Sequence, residues 1–459
     1  PMAMMIAFNL VLGASPHRLL KEMVERRLRI AASALEGEGE ALDAELAEGN
    51  AEVAKRAQLA GLFHTAPRER VRWLSGAAMN GYRLLLLVAA LPREAGETVR
   101  ASLAARCRAA ADAVRAGERP AAEPPSAEGD GVARMIGASL DGFAKDDGGT
   151  VAKPLAPPFL APDAFTNPDY QRYALKTAAA AMTCYLIYSL LDWPGISTAM
   201  VTCFVAALGT TAETVHKLAL RIGGCLIGAA MGFLSILFII PHLESVGGLM
   251  ALVFCAILPA AWVSTGNERI SYAGVQIGLA FLLTILNGFG PDLSMDSGRD
   301  RIIGILLGNL VVYLYFTGLW SKSAAEEARE RLARMLTALS RLAALDPDAR
   351  GAALAEAETV ATEAEKAREQ LALLPFEPAS RRPEASRIAA ALQLLAEARA
   401  LLPELMVAPG ADAAASGRLA AVAARLGGAD RPGPPTPDGT ADAPDGAIAR
   451  IETLAAGLA

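Results

Sequence analysis

The chain has 459 residues, of which 53% are hydrophobic, only 5% aromatic and 20% charged, and its mean hydropathy is +0.32. A soluble domain seldom averages above zero and a wholly embedded one could not carry that much charge, so the two are segregated along a chain long enough for two or three units. The net charge of −6, with no lysine–arginine block, argues against nucleic acid, and five scattered cysteines without CxxC or His/Cys ligand spacing indicate neither a metal site nor a disulfide framework.

The opening segment, Pro1 to about Ala14, is apolar and lacks the basic start and small-residue cleavage site of a signal peptide, so it reads as the end of a preceding transmembrane helix. Ser15-Pro16 then starts a helix, a capping residue followed by Pro at the first helical position. Basic residues between apolar ones at helical spacing follow, as expected on the cytoplasmic side of a membrane. A cytoplasmic helical domain is predicted over 15–118, with further helices near Ala51–His64, Arg68–Ala90 and Glu94–Ala116. Within it, Leu84–Leu91 is far shorter than the roughly 20 apolar residues a bilayer needs and predicts a buried core helix. Residues 119–164 are rich in Pro, Gly, Asp and Ala and read as a linker.

Six apolar stretches, charged only at Lys176, Arg221 and Arg301 near their starts, then approach bilayer length: Tyr173–Leu191, Gly195–Thr211, Leu218–Ile240, Val246–Thr265, Ile270–Phe289 and Arg301–Trp320. The fold class predicted is therefore all-α: an integral membrane six-helix bundle over 165–320, with cytoplasmic helical domains before and after it. Loops carrying Arg172, Lys176, His216, Lys217, Arg221, Arg269 and Lys322 alternate with loops free of Lys and Arg until Arg299, which puts the first set in the cytoplasm. The second cytoplasmic domain spans 321–426, and 427–459 reads as a disordered tail with a short terminal helix.

Enzyme motifs are missing: there is no GxSxG, no Walker loop, no HExxH and no GxGxxG after a strand. Neither catalysis nor a cofactor or metal is expected, and any uphill solute movement needs an ion gradient or a separate motor. The stretch Ala207–Gly232 is the most informative. Glu213, Lys217 and Arg221 share a helix face at intervals of four, and Gly224, Gly228 and Gly232 continue it, a spacing that lets another helix approach in lipid. The charged groups, with His216, either hold an anionic solute and relay a proton or merely anchor topology, Glu213 pairing with its basic neighbours. Arg301, Gly304 and Gly308 echo Arg221, Gly224 and Gly228 on a helix entering from the opposite side. Two oppositely inserted three-span units are a recurring transporter plan; coincidental helix-packing glycines are the plainer alternative. Gln276 and Asn309 are costly against lipid and should face a wet path or bond another helix. Glu268 and Arg269 read as a loop ion pair, and Trp193 as an interfacial anchor.

Longer strings carry a family resemblance: FTNPDYQRYALK (Phe165–Lys176), LDWPGIST (Leu191–Thr198), Thr202–Gly232, ERISYAGVQIGLAF (Glu268–Phe281) and RDRIIGILLGNLVVYL (Arg299–Leu314). Phe165 to about Trp320 resembles the fusaric acid resistance (FUSC) or aromatic acid exporter family, nearest its MdtO-like multidrug resistance branch. The resemblance implies a multi-pass protein of the bacterial inner membrane and a chain that is the carboxyl-terminal part of a longer exporter. It also implies partners: membrane lipid, an organic-anion or drug substrate, a periplasmic adaptor (membrane fusion protein) and an outer-membrane channel. A homo-oligomer is compatible with this plan. The leading expectation is proton-driven export of organic anions such as aromatic carboxylic acids, with Arg221 and Lys217 attracting the carboxylate and Glu213 or His216 linked to the proton. A passive anion channel and a membrane anchor for an envelope assembly are the alternatives.

Overall fold

The computed structural model describes residues 13–92, 95–122, 131–149, 164–287, 290–291, 296–346, 350–408, 410–428 and 443–458. The apolar opening read as the end of a transmembrane helix lies almost wholly outside these residues, as do residues 429–442 of the tail read as disordered. The helices in chain order are α1 (Pro16–Leu35), α2 (Glu40–Glu48), α3 (Ala51–Leu62), α4 (Arg68–Ala89), α5 (Glu97–Ala116), α6 (Gly131–Gly142), α7 (Pro168–Leu190), α8 (Thr198–Ala206), α9 (Thr211–Phe238), α10 (Val246–Thr265), α11 (Glu268–Ile285), α12 (Asp296–Gly318), α13 (Ala324–Ala343), α14 (Arg350–Leu373), α15 (Ala385–Val407), α16 (Ala413–Leu426) and α17 (Ala443–Ala456). The described β-structure is one hairpin of two-residue strands, Leu286–Asn287 against Gly290–Pro291.

The chain divides into two compact units. One comprises Pro1–Pro157, Ala328–Glu369 and Pro383–Ala459, and the other Pro158–Glu327 with Gln370–Arg382. In the first, α1 buries Leu20, Val24, Leu28, Ala31 and Leu35 at helical spacing and places Arg27, fully buried, in their midst. Arg27 Nε donates to Glu45 Oε1 at 2.9 Å, Nη1 to Asn50 Oδ1 and to Ala78 O at 2.6 Å each, and Nη2 to Gly49 O at 2.5 Å. One side chain thus ties α1 to α2, α4 and the turn before α3. Burial lowers the Arg27 pKa against the opposing pull of Glu45. Leu84–Leu87 of α4 are fully buried.

Within the stretch expected to be linker, 131–142 is helical. Ala133, Ile136 and Leu140, with Phe143 just beyond, recur at helical spacing and are buried. Trp73 Nε1 donates to Phe143 O at 3.0 Å, and Asn80 Nδ2 to Ser139 O at 2.8 Å. The apolar positions are few and the flanks rich in Pro and Gly, so tertiary docking rather than local propensity fixes this helix.

Among the described residues of the second unit, three helical segments are long and apolar enough to cross a membrane: Thr211–His242, Val246–Thr265 and Gly298–Gly318, with mean hydropathies of 2.3, 2.2 and 1.5. Helices also occupy the other three expected intervals, with one difference of length. The interval Gly195–Thr211 holds a 3-10 turn, Pro194–Ile196, and then only the nine residues of α8, about 13 Å at 1.5 Å per residue. Pro194 and Gly195 break its start, and Ala207 is extended. The exterior is apolar: Met250, Phe254 and Trp262 of α10 are 68%, 67% and 76% exposed, a surface suited to lipid rather than water. Polarity lies inside, in buried Thr202, Arg221, Gln276, Thr284 and Asn309.

Candidate functional site

Glycines bring the helices of the second unit close together. A β-carbon on Gly224 of α9 would lie 2.6 Å from Ala273 O of α11, one on Gly228 would lie 2.9 Å from Ala280 Cβ, and one on Gly232 would lie 2.7 Å from Thr284 Cγ2. On α12, a β-carbon on Gly304 would lie 2.8 Å from Ile196 O, and one on Gly308 would lie 2.6 Å from Ala199 O of α8. The third helix of each three-helix group therefore packs by a glycine row on the second helix of the other group. Small residues permit that approach where shape packing stands in for the hydrophobic effect.

Arg221 enters the interior along the α9–α11 seam and is only 6% exposed. Its Nη1 donates to Tyr272 Oη at 3.0 Å and to Gln276 Oε1 at 3.3 Å, and its Nη2 to Thr202 Oγ1 at 3.3 Å. Nε has no partner. None of these contacts is a carboxylate, so neutral dipoles hold the charge without cancelling it. Gln276 also accepts from the Cys225 thiol at 3.6 Å. On α12, Arg301 Nη1 donates to Leu283 O at 2.7 Å, again without an acidic partner among the described residues. Asn309 is buried, and neither its Oδ1 nor its Nδ2 has a partner among the described residues.

The remaining groups sit at the start of α9. Thr210 caps that helix: its Oγ1 accepts from Glu213 N at 3.3 Å while Glu213 Oε2 accepts from Thr210 N at 3.1 Å, a reciprocal capping box. Glu213 Oε1 accepts from Gln370 Nε2 at 2.5 Å. The alternative that Glu213 pairs with Lys217 or Arg221 does not hold: the capping box turns its carboxylate toward the helix start. The His216 ring lies 4.5 Å from that of Phe376, and Lys217 Nζ lies 5.1 Å from the centre of the Tyr272 ring. Arg221 and Gln276 are thus in direct contact, whereas Glu213 and His216 engage the segment Gln370–Phe376 instead.

One further expectation differs. Glu268 and Arg269 are not ion-paired with each other; Asn267 Oδ1 accepts from Arg269 N at 2.9 Å as the cap of α11. Trp193 donates from Nε1 to Asp300 Oδ2 at 3.0 Å, a tie between the turn before α8 and α12. Sequence reasoning missed Tyr272, although its place one turn before Gln276 on the same face was available. It also missed Gln370 and Phe376, which no local signal marks. Among the described residues no group of three or more His, Cys, Asp or Glu could hold a metal.

Known proteins resemble part of this chain. Residues 183–315 match the family model described as fusaric acid resistance protein-like. Over 187 residues the chain is 40% identical to the multidrug resistance protein MdtO of Escherichia coli (strain K12), a match covering 40% of this chain and 27% of that protein. The multidrug resistance protein MdtO of Shigella flexneri is equally similar, with 28% of its length covered. The match therefore spans little more than a quarter of these relatives. Residues 183–315, which hold Arg221, Gln276, Arg301 and Asn309, thus resemble the fusaric acid resistance protein-like family.

Proposed function

We propose that this chain is part of an inner-membrane efflux transporter that exports organic anions, aromatic carboxylic acids or drugs among them, at the expense of the proton gradient. The observation that carries the reading is Arg221, a buried guanidinium held by Tyr272, Gln276 and Thr202 with no carboxylate in reach. A structural arginine in lipid is normally neutralised or allowed to snorkel to the headgroups, because an unpaired charge there is costly. One kept charged by neutral hydroxyl and amide groups is prepared for an anion, and a guanidinium takes a carboxylate through two parallel hydrogen bonds. The names of the relatives, multidrug resistance proteins, fit this direction.

In this reading α7 to α12 are six spans with both flanking helical domains in the cytoplasm, as the distribution of basic loops favours. The reciprocal glycine packing of α9 on α11 and of α12 on α8 supports two inverted three-span repeats with the solute path between them. Lys217 stands at the cytoplasmic mouth, and Glu213 and His216 are the proton-linked groups. A periplasmic adaptor and an outer-membrane channel complete the route. The test is resistance of cells to a toxic aromatic carboxylic acid: Arg221→Ala abolishes resistance while leaving protein abundance unchanged. Full resistance in that variant removes Arg221 from the mechanism. A passive channel would move the solute without regard to an uncoupler, and an anchor would move none.

A further inference from the structure

Cys225 of α9, Ala280 of α11 and Ile305 of α12 form a buried apolar cluster of their own, separate from the larger ones in this unit. Each lies one turn from a charged or polar group already described. Cys225 follows Arg221 by four residues, Ala280 follows Gln276 by four, and Ile305 follows Arg301 by four. The two arginines attach to α11 on opposite sides of Ala280, Arg221 at Gln276 and Arg301 at Leu283. Those anchor points are seven residues apart, about 10 Å along the helix axis. The Cys225 thiol lies in the field of both guanidinium groups.

Asn309 fixes the inner half of this arrangement. Arg301, Ile305 and Asn309 share one face of α12 at intervals of four. Passing from Arg301 at Leu283 to Ile305 at Ala280 moves back along α11, and at the next turn Gly308, beside Asn309, packs on Thr202, whose hydroxyl holds Arg221. Its amide has no partner on either atom, and Arg221 Nε has none. Unsatisfied buried donors and acceptors beside an uncompensated charge cost free energy unless a ligand or water meets them.

We propose that Cys225, Ala280 and Ile305 form the constriction of the pathway and separate two subsites for a carboxylate, one at Arg221 with Asn309 and one at Arg301; the proposal rests on the anion-exporter reading above. An anion entering from the α9 N-terminal end binds at Arg221. It passes the three small or flexible side chains when the helices part and is received at Arg301. Neither arginine needs a deeply buried carboxylate, because the travelling ligand supplies the negative charge to each in turn.

Cys225 is itself the probe. In inside-out and right-side-out membrane vesicles, modification of Cys225 is quantified by mass spectrometry after exposure to an anionic (sulfonate) or a cationic (trimethylammonium) methanethiosulfonate. The anionic reagent is expected to react about tenfold faster from both faces, as in a cleft that focuses positive potential. Arg221→Gln removes that preference only from the face bearing the start of α9, and Arg301→Gln only from the opposite face. Ile305→Ala raises the rate from both faces, and Ala280→Gly does the same should the first variant fold poorly. Equal rates for the two reagents, both arginine variants acting from one face, or no gain in either widened variant overturns the proposal. Flux of labelled benzoate through the same vesicles separates the two readings. The sided labelling pattern without flux leaves the constriction and drops export, whereas flux with uniform labelling drops the constriction alone.

Discussion

Replacing Arg221 by Met should cost the protein its transport but not its fold. Bringing an arginine to the middle of a membrane helix costs about 3 kcal/mol on insertion scales. Its three hydrogen bonds, to Tyr272, Gln276 and Thr202, return about 0.6 kcal/mol each, the average for such bonds between membrane helices. The balance leaves wild-type Arg221 a net burden of about 1 kcal/mol. Met is similar in length, unbranched and able to fill the space, at some cost in removing the donor to Tyr272 and Thr202 and leaving Gln276 only the Cys225 thiol. Arg221→Met is therefore expected to melt within about 4 °C of wild type in detergent, on the higher side, while export of an aromatic acid falls to background. The assay pairs a thermal melt of the purified protein with a flux measurement on the same preparation. A loss of 10 °C or more would show that Arg221 is held for structure, and the argument from its missing carboxylate would fail.

The glycine row gives a paired test. Gly228→Val sets side-chain carbons against Ile277 and Ala280, whereas Gly223→Ala points into open space; the first is expected to cost about 3 kcal/mol and the second under about 0.5 kcal/mol, read as the loss of melting temperature. In the other unit, Arg27→Met removes the donor to Asn50 Oδ1 and to the Gly49 and Ala78 carbonyls, while Glu45 keeps Arg26 at 2.9 Å; it is expected to cost about 3 kcal/mol, little of it recovered in Arg27→Met with Glu45→Leu. Denaturant unfolding of the protein, followed by proteolysis of that unit, measures both. Glu452 of α17 has its pKa lowered, first by hydrogen bonding to Arg418 and further by the charge of Arg418. A carboxyl that binds its proton less readily folded than unfolded stabilises above the ordinary glutamate value of 4.5 and loses that contribution as pH falls through the folded value. The protection of α17 amides relative to their intrinsic exchange is therefore expected to fall on acidification below about pH 4.5, and Glu452→Gln is expected to flatten that response.

What the sequence disclosed and what it hid follow from range. The apolar intervals over Thr211–His242 and Val246–Thr265 were plain because the bilayer imposes a length and a composition that local residues must satisfy. The same rule overstated the interval Gly195–Thr211, where small apolar residues are abundant but Pro194, Gly195 and an extended Ala207 leave only a short helix. Helix α6 was hidden for the opposite reason: its few apolar positions matter only once Trp73 and Asn80 are beside them. Arg221 and Gln276 could be marked singly as expensive polar residues, yet their contact joins positions 55 residues apart. The partner of Glu213, Gln370, lies 157 residues away, beyond any pattern of spacing. A local rule proposed a neighbouring cation, and the capping box decided otherwise.

The most direct test of anion export through Arg221 is accumulation of labelled benzoate in proteoliposomes of the purified protein under an imposed proton gradient. Uphill accumulation that collapses with an uncoupler and is lost in Arg221→Gln is the predicted result. Uptake no greater than in protein-free liposomes, or accumulation unchanged in Arg221→Gln, contradicts the account.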